Sequence, residues 1–150
     1  MGDVSMKGLL LFIISMIFIT FFGGVQAADR VWEDGSVWSI TYAKTKPGKF
    51  NAYMEDLNNV WRVFTEREMR DGDILSYRVL QVSTPRDGEP NVMFLVEYKN
   101  WAAFDKGVEY FDKLAAEIMG SPEQSDAASI DREALRTLRG GLTAQEVEFK

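Results

Sequence analysis

Cysteine and histidine are both absent from the 150 residues, and these two absences remove most familiar catalytic equipment. Without cysteine there is no disulfide framework, thiolate nucleophile, iron–sulfur cluster or zinc–thiolate site. Without histidine the usual near-neutral general base and the commonest metal ligand are missing. Positive charge is scarce as well: 17 basic side chains stand against 23 acidic ones, for a net charge of −6. That balance opposes the basic footprint a phosphate backbone requires, so nucleic acid is not an expected partner. Nucleophile elbow, phosphate-binding glycine loop and dinucleotide fingerprint are all missing. The turn sequences Asp71-Gly72-Asp73 and Asp87-Gly88-Glu89 lack the ligand count of a calcium loop. No metal site and no cofactor are therefore expected. The chain has no internal repeat, low-complexity tract or linker, and its length suits one domain.

Long apolar runs are also rare, and the one present lies at the start. Lys7 precedes an uncharged stretch at residues 8–22, followed by Gly23-Gly24-Val25-Gln26-Ala27. The stretch sits at the upper end of a secretory h-region, about 7–15 residues, and short of the roughly 20 that a membrane span needs. Val25 and Ala27 supply the small residues of a cleavage site. Residues 1–27 are thus expected to be a signal peptide cleaved after Ala27, with residues 28–35 a flexible mature N-terminus and residues 36–150 the folded domain. The same run also reads as an uncleaved anchor, given Asp3 beside the weakly basic start. Export to the periplasm or the extracellular space follows from the first reading, with no membrane attachment once the signal is removed.

The remaining chain alternates between two periods. Residues 36–43 place Trp38, Ile40 and Tyr42 against Val37, Ser39 and Thr41, which predicts a strand. Lys46-Pro47-Gly48-Lys49 opens a helix with apolar residues at 50, 53, 54, 57, 60, 61 and 64, running to about Arg70 and stopped by Gly72. Residues 74–83 and 91–98 predict two strands joined by a turn-rich connection. In the second, Val92, Phe94, Val96 and Tyr98 form one alternating set and Met93 and Leu95 the other, so both faces are apolar and both need burial. Asn100 is read as the cap of a second helix through residue 118, ended by Gly120. Ser121-Pro122-Glu123-Gln124 has capping-box spacing, with helical periodicity continuing through Leu138. Gly140-Gly141 is read as breaking that helix before a last strand at residues 143–149.

This order is the split β-α-β, ferredoxin-like pattern: a four-stranded antiparallel sheet with helices on one face and an extra short helix before the last strand. Because the inner strand is apolar on both sides, the uncovered face is expected to meet a second copy of the chain, sheet to sheet.

The phrases Val37-Trp38-Ser39-Ile40-Thr41-Tyr42 with Lys46-Pro47-Gly48-Lys49-Phe50, then Ile74-Leu75-Ser76-Tyr77-Arg78-Val79-Leu80, then Val96-Glu97-Tyr98-Lys99-Asn100-Trp101-Ala102-Ala103-Phe104-Asp105 resemble the dimeric α+β barrel superfamily, and within it a group of exported bacterial members with no established activity. The resemblance covers about residues 36–149. It implies a homodimer whose two sheets form a barrel, with a cavity between each sheet and its helices. It also implies a range of functions, from cofactor-independent oxygenation and isomerisation to haem degradation, peroxidation and ligand sensing. Members that ligate haem or use an imidazole base do so through histidine, which this chain lacks.

Aromatic and polar residues on these elements are the candidate ligand-binding set: Trp38, Tyr42, Trp61, Tyr77, Arg78, Tyr98 and Trp101. Aromatic walls would hold a planar, mostly apolar molecule, with phenol and indole groups fixing its orientation. Ordinary core and dimer packing accounts for the same residues individually. Arg78 lies within a strand, where it either binds an anion, pairs with Glu97 on the neighbouring strand, or faces solvent at an edge. Asn58 and Asn59 lie on the first helix beside Trp61, and the acidic and basic residues from Glu55 to Arg70 read as a solvated face. No catalytic residue is assigned. The functional expectation is a homodimer that binds a small apolar or aromatic molecule or serves as an accessory module; the alternative is a cofactor-independent monooxygenase-like or isomerase-like enzyme.

Overall fold

The computed structural model describes residues 30–150; the expected signal segment at residues 1–27 lies outside them. Four strands form one antiparallel sheet in the order β2-β3-β1-β4, with β1 Trp32–Thr45, β2 Ile74–Gln81, β3 Val92–Tyr98 and β4 Arg136–Phe149. Between β1 and β2 runs a helical stretch built from α1 Phe50–Asp56, a π-helical turn Leu57–Trp61 and α2 Arg62–Asp71. After β3 come a 3-10 helix Trp101–Phe104, then α3 Val108–Met119 and α4 Pro122–Asp131. The expected ferredoxin-like α+β architecture is the one observed, including the extra helix before the last strand.

Local signals act where the sequence places them. Gly72 ends α2 in a left-handed conformation at φ 89°, which a side chain would strain. The Ser121 hydroxyl accepts from Gln124 N at 3.2 Å, and Pro122 occupies the first turn of α4 where its missing N–H is harmless.

Three expectations need correction. Residues 32–35, read as part of a flexible lead-in, belong to β1, where Trp32, Glu33 and Asp34 pair with Phe149, Glu148 and Val147. The helix expected from residue 101 is interrupted. The Asn100 side chain does cap, accepting from Ala102 N at 3.0 Å, but it starts only a 3-10 turn, and the α-helix begins after Gly107. Glycine weakens a helix interior by about 1 kcal/mol, and here Lys106 is turned towards Asp73 and the Tyr110 ring. The third correction is the largest. Helix α4 stops at Asp131, and Arg136, Thr137 and Leu138 pair with Thr45, Lys44 and Ala43, so β4 starts seven residues before the expected 143. Gly140 and Gly141 lie inside this strand. They sit at a register shift opposite Thr41, Gly140 at φ 97° and Gly141 so close that a Cβ would stand 2.7 Å from the Ile40 carbonyl oxygen. Glycine here serves a β-bulge and a close approach of backbones.

Register divides the sheet into two faces, because directly opposed residues point to the same side. Val37, Ser39, Thr41 and Ala43 of β1 share a face with Tyr98, Val96, Phe94 and Val92 of β3. This is the helix-covered face, and Val37, Val92, Tyr53 and Ala43 are essentially inaccessible there. The other face carries Trp38, Ile40 and Tyr42 beside Glu97, Leu95 and Met93, flanked by Leu80 and Leu142. Strand β3 is thus apolar on both sides and lies inside the sheet. Among the described residues nothing covers the second face: Leu80 and Leu142 are 44% and 46% exposed.

Candidate functional site

A cleft of about 230 Å³ opens between the helix-covered face and the helices above it. Its floor is Ser39 and Thr41 from β1, Phe94, Val96 and Tyr98 from β3, and Leu138 from β4; Tyr53, Leu57, Trp61, Arg132 and Arg136 complete the walls. Side-chain size explains the space. Serine and threonine occupy the centre of β1 where Val37 and Ala43 fill the ends, and Gly141, opposite Thr41, adds nothing above the sheet. The volume equals that of roughly eight water molecules at about 30 Å³ each, so it suits a ligand of one or two rings.

The wall is aromatic. Tyr53 meets Phe94 edge to face with centroids 6.1 Å apart, and Trp61 lies 5.4 Å from both Phe94 and Tyr77. Trp61 and Leu57 bound the π-helical turn, an element that recurs at functional sites because its extra residue re-aims neighbouring side chains. Beyond Trp61 a second groove of about 200 Å³ is lined by Met54, Asn58, Arg62, Tyr77 and Val79.

Polar groups enter from one end. Arg132, in the turn Arg132–Ala134, donates from Nε to Asp56 Oδ2 at 2.6 Å. Arg136, the first residue of β4, is 7% exposed; one guanidinium nitrogen pairs with Glu133, while its buried Nε has no hydrogen-bond partner among the described residues. An orphaned buried donor of this kind costs about 1–3 kcal/mol. Burial raises the Tyr53 phenol above its ordinary range, and the nearby Arg136 and Arg132 partly offset that shift. Burial, reinforced by Glu68 and Asp73, pushes the Tyr98 phenol up to about 12. Both phenols stay protonated at neutral pH and act as donors. Among the described residues no carboxylate lines the cleft. The arrangement can bind, orient and donate hydrogen bonds.

The sequence candidates divide accordingly. Trp61 and Tyr98 line the cleft; Tyr77 lines the adjoining groove and donates to Glu66 at 3.1 Å. Trp38 and Tyr42 point to the opposite sheet face. Arg78 lies on edge strand β2, opposite Leu95, and donates to the carbonyl of Tyr77 at 2.8 Å; of its three readings the exposed edge position is the one observed, and it does not pair with Glu97. Glu97 instead accepts from Ser76. Trp101 is 53% exposed and donates to Gln145, away from the cleft. Tyr53, Phe94, Arg132 and Arg136 were not singled out from the sequence. The first two read as core positions. The arginines read as charges on a helix that stops before them; their one signal is that both flank the apolar pair Ala134-Leu135 between helix and strand.

Together these features define the class: a ferredoxin-like α+β protein with an aromatic cleft between sheet and helices. Its structure is similar to HapK from Hahella chejuensis (TM-score 0.49, 11% identity, covering 73% of this chain and 91% of that one). It is also similar to a dimeric ferredoxin-like protein from an uncultured marine organism (0.48, 12%, 79% and 90%) and to PA3566 from Pseudomonas aeruginosa (0.43, 16%, 77% and 96%). Likenesses this distant carry no functional argument. No family model and no curated protein matches the chain.

Proposed function

We propose that the chain is an exported homodimer that binds a small, mostly apolar or aromatic molecule in the cleft between its sheet and helices. The observation that carries this reading is the cleft itself, walled by Tyr53, Trp61, Phe94 and Tyr98 and supplied with a few convergent polar groups, the usual make-up of a small-molecule site. Binding is placed ahead of catalysis because the lining side chains comprise donors and cations without a neutral-pH base. Dimerisation is supported by the apolar sheet face opposite the helices, and export by the run at residues 8–22 with Val25 and Ala27 behind it.

Native mass spectrometry of the protein purified from its own host tests the binding reading. The expected result is a copurified small molecule whose retention falls when Leu138, on the cleft floor, is enlarged to Trp. A protein that carries nothing and shows no thermal shift with any one- or two-ring aromatic compound would overturn it.

A further inference from the structure

We infer that Trp61 sets the length of ligand the cleft accepts, by closing it off from the groove at the sheet edge. This rests on the cleft being the ligand site and adds which molecules fit it: one or two rings with at most a short apolar chain. The carrying observation is that the cleft of about 230 Å³ and the groove of about 200 Å³ share two lining residues, Leu57 and Trp61. They share a floor as well. Tyr77 and Val79 beneath the groove pair with Val96 and Phe94 beneath the cleft, so one helix-covered sheet face runs under both. Ligand pockets usually hold about 300–1,000 Å³. Each space alone falls short of that range, and the two joined would reach it.

The indole is the larger part of the partition. Trp61 lies 5.4 Å from the Phe94 ring on the cleft side and 5.4 Å from the Tyr77 ring on the groove side, so it is packed from both directions. Tyr77 is itself held. Its hydroxyl donates to Glu66 at 3.1 Å, Glu66 pairs with Arg62 at 3.2 Å, and Arg62 Nε donates to the Asn58 carbonyl oxygen at 3.3 Å inside the π-helical turn. The indole is therefore braced against a ring tied to its own helix, and a chain running from the cleft towards β2 meets a side chain that gives way only by breaking these contacts. The groove beyond it offers Met54 and Val79, apolar surface that a longer chain would cover.

Calorimetric titration of the full-length protein with 4-alkylphenols carrying ethyl, butyl, hexyl and octyl chains decides the matter. Each methylene that finds apolar surface raises affinity about fourfold, so wild-type affinity is expected to rise to a short chain and then level off or fall. Trp61→Ala is expected to bind the octyl compound, relative to the ethyl compound, about tenfold or more tightly than wild type does, with Trp61→Leu changing in the same direction. Adding Val79→Trp, which fills the groove, is expected to cancel that gain and leave ethyl binding unchanged. Wild-type affinity that climbs through octyl, or a chain-length profile that Trp61→Ala and Trp61→Leu leave unaltered, overturns the inference and leaves the cleft as a binding site. A gain that survives Val79→Trp places the chain elsewhere and overturns the inference too. Binding of no alkylphenol by any of these proteins overturns the inference together with the reading beneath it. Should neither Trp61 variant fold, the wild-type profile still decides, by whether it stops rising short of octyl.

Discussion

Arg132 and Asp56 meet at 2.6 Å across 76 residues of sequence, joining the turn before β4 to the last residue of α1. The pair clamps one end of the cleft. Removing one partner of a fully buried pair costs about 3–5 kcal/mol because the other charge is left uncompensated; here a sixth of each side chain still reaches water, so about 2–3 kcal/mol is expected for Asp56→Ala. The double variant Asp56→Ala with Arg132→Met should regain at least half of that loss. Urea denaturation measures both, and a loss below about 0.5 kcal/mol for Asp56→Ala would show that the clamp contributes nothing.

The bulge in β4 gives a second prediction. A Cβ on Gly141 would meet the Ile40 carbonyl oxygen at 2.7 Å, and the obstructing atom is backbone in an inner strand. Gly141→Ala should destabilise by about 1–3 kcal/mol through overpacking. Gly140→Ala, forced to hold φ 97°, should cost about 1–2 kcal/mol through strain alone. Unchanged melting of both variants would mean that the strand does not bulge there.

The pH dependence of stability contains two opposed contributions. Asp71 accepts from Tyr110 at 2.7 Å and also pairs with Arg67, which together hold its carboxyl below the usual range. Its contribution is present above the unfolded carboxylate pKa and is lost as pH falls through the lower folded value. Glu68 has the other sign. Burial raises its carboxyl despite Lys106, with Asp73 and Asp71 adding repulsion. Its favourable contribution is complete below the unfolded value of 4.5 and disappears as pH rises through the raised folded value. Glu68→Gln should therefore stabilise the protein at pH 7 relative to wild type, by more than it does at pH 4. Urea midpoints giving the same difference at both values would sink this assignment.

The uncovered sheet face predicts oligomeric state. Leu142 and Leu80 stand on that face, nearly half exposed, beside Ile40 and Met93. If two copies pair through it, wild-type protein sediments as a dimer at micromolar concentration, and Leu142→Arg or Leu80→Arg shifts it to monomer without unfolding it. Burying either arginine between two apolar sheets has no compensating partner. A wild-type protein that sediments as a monomer would remove the homodimer from the proposed function.

Much of the fold was legible because its signals are local. The alternation of β1, the two apolar faces of β3, the stop at Gly72 and the cap at Ser121 are read within a few residues and hold in the structure. The stretch from Arg132 to Gly141 was not legible in the same way. Leu135 and Leu138 fit a helical period, yet Leu138 pairs with Ala43 and Lys46 N donates to the Leu135 carbonyl oxygen at 2.8 Å. Long-range pairing with β1 outweighs a weak local helical preference, and a glycine pair that resembles a helix break locally serves a bulge in a paired strand.

The candidate site shows the same division. Trp61 and Tyr98 could be found by residue type and period, but Trp38, Tyr42, Arg78 and Trp101 share those properties and lie elsewhere. The sequence by itself determined which chemistries are closed, since no fold can supply an imidazole or a thiol that the chain lacks, and it determined the order of elements, because hydrophobic period and caps act over one or two turns. Only the tertiary structure decided which sheet face is covered, and that Arg132 and Arg136 come from a turn and a strand start to share a cleft with Tyr53. Those outcomes depend on contacts between residues about 80 positions apart, and no local pattern encodes which of two sheet faces the helices will cover.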